Sequence, residues 1–224
     1  MYAIEAVKLF KSYKTGGSDV EVLKGIDMKI DSGEFISIMG PSGSGKSTFL
    51  YLTGGLDAPT SGTVRIYGSD IPGMKDRELS ILRRRSIGFV FQFYNLIPNL
   101  SVEENILLPV LLDGKKPKAA KGILDELLEI AGLTARKGHY PAQLSGGEQQ
   151  RTAIARALIN DPDIILADEP TGNLDSTNGT GILGLLQRIN RERNKTILMV
   201  THSDEAAEYS TRRVFMKDGR LVHQ

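Results

Sequence analysis

Cysteine is absent from the chain, which excludes both a disulfide framework and a thiolate metal site. Surplus charge of either sign is also missing. The 28 basic and 27 acidic residues leave a net charge of +1, with no electrostatic reason to expect nucleic acid as the main ligand. No apolar run approaches the ~18 residues that a membrane span requires. The N-terminal stretch MYAIEAVKLFKSYK lacks the apolar core and cleavage pattern of a secretion signal. These absences predict a soluble, cytoplasmic protein. Its 224 residues are ample for a well-buried core, either as one large α/β domain or as a core with one subdomain.

Glycine is plentiful, and the stretch from Glu34 to Gly55 uses it to most purpose. An apolar run (Phe35, Ile36, Ile38, Met39) short enough for a buried strand is followed by Gly40, Pro41, Ser42, Gly43, Ser44 and Gly45, and then by Lys46-Ser47-Thr48-Phe49-Leu50. The order is strand, glycine loop, helix. Gly40 to Ser47 fits G-x-x-x-x-G-K-[ST], whose bare amides and helix start attract phosphate. In that pattern Lys46 reaches the outer phosphates and the Ser47 hydroxyl ligates Mg²⁺.

Ahead of this stretch, Ala3 to Tyr13 and Val20 to Ile30 alternate apolar and polar residues around Gly16-Gly17-Ser18-Asp19. They predict two antiparallel strands beside the nucleotide strand. Tyr13 is either a ring placed to stack on a purine or an ordinary strand-end aromatic. After the loop helix, the sequence predicts a strand at Thr63 to Gly68 and a helix over Met74 to Arg85. The closing run Arg83-Arg84-Arg85 reads as a solvated helix end favoured by the dipole.

Ser86 to Gln92 predicts a buried strand that delivers the Gln92 amide to the carboxyl edge of the sheet, as a candidate sensor of Mg²⁺ or γ-phosphate. The apolar loop from Phe93 to Leu100 either packs into a helical subdomain or forms a patch for a partner. Ser101 to Leu133 reads as helical, with no chemical group on either apolar stripe that asks for a role.

Leu144 to Arg151 reads LSGGEQQR. Ser145 and Glu148 form a capping box, yet Gly146 and Gly147 are poor helix formers, costing about 1 kcal/mol each against alanine. Bare amides beside a serine hydroxyl at a positive helix end make a second anion seat.

With these residues the chain resembles, over essentially its whole length, the nucleotide-binding subunits of ABC transporters, whose signature motif LSGGEQQR matches. The resemblance implies a P-loop NTPase with a RecA-like core, an antiparallel β subdomain and an inserted helical subdomain at about 93–160, within one ATPase domain spanning 1–224. ATP and Mg²⁺ are the implied cofactors. Tyr13, Gly40 to Thr48 and Gln92 would bind ATP in cis. Leu144, Ser145, Gly146, Gly147 and Glu148 would bind it in trans across a homodimer.

At the end of the apolar run Ile164 to Ala167, Asp168 and Glu169 point in opposite directions. Asp168 would then serve Mg²⁺ with Ser47 and Gln92, and Glu169 the attacking water. Asn173, Leu174 and Asp175 match the loop that lies across the dimer axis in this family, and His202 matches its switch histidine. His139 and His223 match nothing. Val214 to Val222 predicts a hairpin turning on Asp-Gly.

The stretches GGLDAPTSG, FVFQFYNLIPNLSVEEN and LADEPTGNLDS look most like the subfamily of macrolide-exporter, lipoprotein-releasing and peptide-resistance systems. A cell-division branch shares much of this pattern. The implied partner is an integral membrane permease seated near Phe93 to Leu100, which would hold the subunit at the inner face of the membrane. A soluble ABC ATPase acting on ribosomes or DNA, and a small-molecule kinase, are the competing readings.

Overall fold

The apolar runs form the strands, and their order in space separates two layers. The computed structural model describes residues 1–222, so His223 lies outside the described residues. In chain order the elements are β1 (Tyr2–Thr15), β2 (Ser18–Asp31), β3 (Phe35–Met39), α1 (Lys46–Thr53), β4 (Ser61–Ile66), β5 (Ser69–Asp70) and α2 (Asp76–Arg85). β6 (Ile87–Val90), α3 (Val102–Leu112), α4 (Lys121–Ile130), α5 (Gly146–Leu158) and β7 (Ile164–Asp168) follow. The chain ends with α6 (Ser176–Arg193), β8 (Thr196–Thr201), α7 (Asp204–Ala207), β9 (Arg212–Lys217) and β10 (Arg220–Val222).

One sheet has the order β2-β1-β4-β5 and is antiparallel. Its first hairpin is tighter than the sequence predicts. Thr15 pairs with Ser18 across Gly16 and Gly17, whose φ values of 58° and 90° suit a two-residue turn that only glycine enters cheaply. The other sheet has the order β10-β9-β3-β8-β7-β6 and is parallel except for the β9–β10 hairpin.

Side-chain alternation sorts the core into two clusters. Ile165 and Ala167 of β7, with Ile197 and Met199 of β8, pack with α3 to α6 on one face. Ile164, Leu166, Leu198 and Val200 pack with Phe49, Leu50 and Leu52 of α1 on the other, against the antiparallel sheet. The parallel strands therefore bury both faces, which is why their sequences are continuous apolar runs.

Three expectations are corrected. The run Arg83-Arg84-Arg85 is more than a solvated helix end: Arg85 stays exposed, but Arg83 donates to the Gly55 carbonyl at 2.5 Å and Arg84 to that of Leu112 at 2.6 Å. Arg85 pairs with Asp113 at 2.9 Å, because the end of α3 presents carbonyls and a carboxylate to the end of α2. Second, α3 carries a polar group of structural consequence. Asn105 is fully buried, accepts from Ile97 N–H at 2.8 Å and donates to the carbonyls of Ile97, Leu100 and Ser101, tying down the loop before the helix. Third, β6 ends at Val90, so Gln92 sits in the turn beyond it.

Candidate active site

The glycine loop wraps from β3 into α1, and its glycines have different reasons to be bare. A Cβ on Gly40 would lie 2.0 Å from the Met216 carbonyl of β9, and one on Gly45 would lie 2.8 Å from Leu23 Cδ2. Gly43, at φ 78°, has nothing within 4 Å of that position and faces open space. Two glycines thus let the loop pack on its own protein, and the third leaves room for a ligand. The C-terminal hairpin acts as a buttress the sequence did not announce: Gly219 N–H donates to the Ser44 carbonyl at 3.1 Å.

Lys46 is buried, and its Nζ donates to the carbonyls of Gly40 at 2.7 Å and Pro41 at 2.9 Å. Burial lowers its pKa, while the negative charges of Glu169 and Asp168 pull the other way. Among the described residues its hydrogen-bond partners are neutral carbonyls, and a phosphate would bind the ammonium more strongly.

Asp168 ends β7 on the face toward α1 and is 7% exposed. Its Oδ1 accepts from Ser47 Oγ at 2.8 Å and its Oδ2 from Tyr51 Oη at 2.6 Å. Burial, then the Asp168 hydrogen bond and charge, push the Tyr51 phenol up to about 12, so it stays a donor. One carboxylate beside one hydroxyl, next to a phosphate seat, is a donor set that fits Mg²⁺, a hard cation that takes few protein ligands and completes its shell with water and phosphate.

Glu169 leaves the strand in the left-handed region at φ 45°, a costly conformation for a side-chain-bearing residue. Glu169 lies past the end of β7, so this turn and not strand alternation carries its carboxylate onto His202 just after β8. His202 Nδ1 and Glu169 Oε1 are 3.0 Å apart. Gln92 does not reach either acid here; its Nε2 donates to Asn173 Oδ1 at 3.3 Å, and Asn173 Nδ2 donates back to the Gln92 carbonyl at 3.0 Å.

The capping box of Ser145 and Glu148 forms as predicted. Glu148 accepts from Ser145 N–H at 2.8 Å and from Arg136 Nε at 2.9 Å, which together hold its carboxyl below the usual range. The two glycines also have an internal cause that sequence reasoning missed. A Cβ on Gly146 would lie 2.9 Å from the Tyr94 hydroxyl and one on Gly147 would lie 2.4 Å from Asn178 Oδ1, so the helix start packs closely on α6. Leu144 is buried, Ser145 is exposed, and Asp175 caps α6 through Asn178 N–H at 2.9 Å. Among the described residues no hydrogen bond or ion pair joins Leu144 to Glu148 with the glycine loop.

Tyr13 is 39% exposed and its hydroxyl donates to Asp57 Oδ2 at 2.6 Å. Lys11 donates to the other oxygen at 2.7 Å and lies 4.6 Å from the Tyr13 ring centroid. Lys11, Tyr51, Asp57 and Arg136 were not singled out in the sequence. Only Tyr51 carried a signal, its i+4 spacing from Ser47 on one helix face.

A family profile described as ABC transporter matches residues 23–172. The chain belongs to the ABC transporter family. It resembles the lipoprotein-releasing system ATP-binding protein LolD of Cytophaga hutchinsonii, with 46% identity over 98% of each chain. Against the bacitracin export ATP-binding protein BceA of Halalkalibacterium halodurans the identity is 45% over 100% of this chain and 88% of that one. The dimeric ATP-binding cassette MJ0796, bound to ADP and Pi after hydrolysis, superimposes with a TM-score of 0.91 at 44% identity, over 98% of this chain and 97% of that one.

The expected α/β fold and subfamily are thereby established, and the chain is an ATP-binding, ATP-hydrolysing subunit of ABC transporter type. The kinase and ribosome readings fall away. No helix among the described residues of this ABC subunit is long and apolar enough to cross a membrane.

Proposed function

We propose that two copies of this chain close head to tail on two ATP molecules, each copy supplying the cradle for one nucleotide and the lid for the other. One observation carries the reading. Lys46, Ser47, Asp168, Glu169 and His202 gather at the carboxyl ends of β3, β7 and β8, while the exposed Ser145 has no bond to any of them. A phosphate seat so detached from the cradle is explained if it serves a second copy.

In this reading Gly40 to Thr48 hold the phosphates and Tyr13 stacks on the base. Leu144 to Glu148 close from the partner, and Asn173 to Asp175 lie across the dimer axis. Mg²⁺, held by Ser47 and Asp168 and sensed by Gln92, would neutralise charge gathering on the phosphates. Glu169 accepts a hydrogen bond from the attacking water, and His202 fixes the orientation of its carboxylate. Loss of the γ-phosphate removes the ligand that joins the copies, and the dimer opens. The insertion between β6 and β7, at about 93–160, moves as a helical subdomain.

The work is done on a membrane permease, so the subunit is cytoplasmic and sits at the inner face of the membrane. LolD and BceA are named for lipoprotein release and bacitracin export, which supports that placement. Phe93 and Ile97 are exposed, at 72% and 43%, and Asn95 between them borders a groove of about 370 Å³ lined by Leu56, Phe89, Leu108 and Leu112. This loop and groove are the proposed seat of the permease.

The test is light scattering of Glu169→Gln with Mg²⁺ and ATP. It should form a dimer, and Ser145→Arg in that background should bind nucleotide yet remain a monomer. A monomeric Glu169→Gln, or a double variant that still dimerises, overturns the reading.

A further inference from the structure

Ser47 and Tyr51 stand one turn apart on α1, and each donates to a different oxygen of the same buried carboxylate, at 2.8 and 2.6 Å. Packing asks for no hydroxyl at position 51, since the ring lies against the apolar cluster around Phe49 and Leu52, where phenylalanine would serve as well. A buried carboxylate needs donors, however, and Asp168 has few. Among the described residues Tyr51 is the one side chain outside the proposed Mg²⁺ ligands that hydrogen-bonds Asp168. Its grip does not change hands when a cation arrives beside Ser47.

We infer that Tyr51 is a positioning residue for the metal: its hydroxyl fixes the rotation of the Asp168 carboxylate so that Oδ1 and the Ser47 hydroxyl face a divalent cation together. The inference rests on the ligand role given above to Ser47 and Asp168. A carboxylate free to rotate would present the cation with several geometries, whereas Mg²⁺ demands a near-ideal one. Groups that orient metal ligands are commonly worth about 10- to 100-fold in metal affinity.

The experiment titrates Mg²⁺ into the whole protein with a fluorescent ATP analogue at fixed concentration, and repeats the binding in EDTA. Mn²⁺ is followed in parallel by the electron paramagnetic resonance of the free ion. Tyr51→Phe should raise the half-saturating Mg²⁺ and Mn²⁺ by about tenfold or more, with nucleotide affinity in EDTA unchanged.

An unchanged half-saturation overturns the inference. So does an equal weakening with and without metal, which would make Tyr51 a prop for the loop alone. Asp168→Asn separates the two levels of argument. If it abolishes the metal dependence while Tyr51→Phe does nothing, only the Tyr51 role fails; if it leaves the dependence intact, the metal site itself is misassigned.

Discussion

The imidazole Nδ1 of His202 lies 3.0 Å from Oε1 of Glu169, and the backbone N–H of His202 points to the other oxygen at 3.4 Å. Both contacts reach across from the end of β8 to the residue just past β7, so the parallel pairing of Asp168 with Val200 sets the distance. A carboxylate gripped from one side presents its free lone pairs in one direction. His202→Ala should therefore lower kcat by about 10²-fold or more while leaving the KM for ATP within a few-fold, if, as proposed, it acts mainly by orienting the Glu169 carboxylate. Steady-state kinetics at saturating Mg²⁺ would check the split, and a KM that rose with kcat unchanged would contradict it.

Most strand positions along the chain and the strand, glycine loop, helix succession were legible because they rest on local rules, whereas the bareness of Gly40 and Gly45 answers to Met216 and Leu23 far away in the chain. Buried parallel strands read as short apolar runs, and the Ser145 box and the Asp218-Gly219 hairpin follow from capping and turn chemistry. That Asp168 and Glu169 take different partners was expected from alternation along a strand, but the strand ends at Asp168 and the left-handed turn at Glu169 is what separates them.

What escaped depends on contacts between segments far apart in the chain. Asp57 meets Lys11, and Arg85 meets Asp113. Asn105 looked like one polar residue on an apolar helix, with nothing local to say that a loop folds over it. The partners of the arginine run escaped for the same reason, since nothing local says that the end of α3 lies beside the end of α2. For Gly146 and Gly147, the sequence suggests an anion seat but gives no sign of the close approach of Tyr94 and Asn178.

Asp57, in the segment between α1 and β4, tethers the proposed base-binding ring of β1. It accepts from Tyr13 and from Lys11, so the hydroxyl is tied to the carboxylate while the ammonium, paired with the same carboxylate, lies against the ring. Burial alone would raise the Asp57 carboxyl, but the hydrogen bonds from Lys11, Tyr13 and the Ala58 N–H outweigh it and keep the group ionised. Stacking of a base on an aromatic ring is worth about 1–3 kcal/mol. Tyr13→Ala should cost that much in ATP affinity and nothing in affinity for inorganic tripolyphosphate, and Asp57→Asn should move the same ratio less. Isothermal titration with both ligands measures it. Equal losses for the two would deny Tyr13 contact with the base.

Acid should weaken the fold through a recognisable set of groups. Glu148 is held below its ordinary value first by the Ser145 N–H, Glu104 by the Ser101 N–H, Asp175 by the Asn178 N–H and Asp113 by Lys115. Each carboxylate binds its proton more weakly in the folded state than in the unfolded one. Their contribution is then fully present above the unfolded values of 4.5 for glutamate and 3.8 for aspartate, and is lost as pH falls through the lower folded values. Thermal melting should be flat with pH above about 5.5 and decline below about 4.5. Glu148→Gln should flatten part of that decline, and a melting temperature that climbed on acidification would reverse the sign argued here.

Gly40 and Gly43 belong to one motif but should fail differently. At Gly40, φ is 148° and an added methyl would lie 2.0 Å from the Met216 carbonyl, a backbone atom fixed by the pairing of β9 with β3. Alanine there must push strand and loop apart, a strain of about 1–3 kcal/mol or more that appears as lost stability with or without nucleotide. At Gly43 the φ of 78° makes alanine conformationally costly by about 1–2 kcal/mol, but the space beside it is open, so little packing is lost. In the proposed reading the methyl would stand where a phosphate approaches the amides. Gly43→Ala should thus keep most of its melting temperature and lose ATP affinity, whereas Gly40→Ala should lose both. Paired melting curves with and without Mg²⁺ and ATP decide it: a Gly43→Ala protein that ATP stabilises as well as the parent would place the phosphates elsewhere than on this loop.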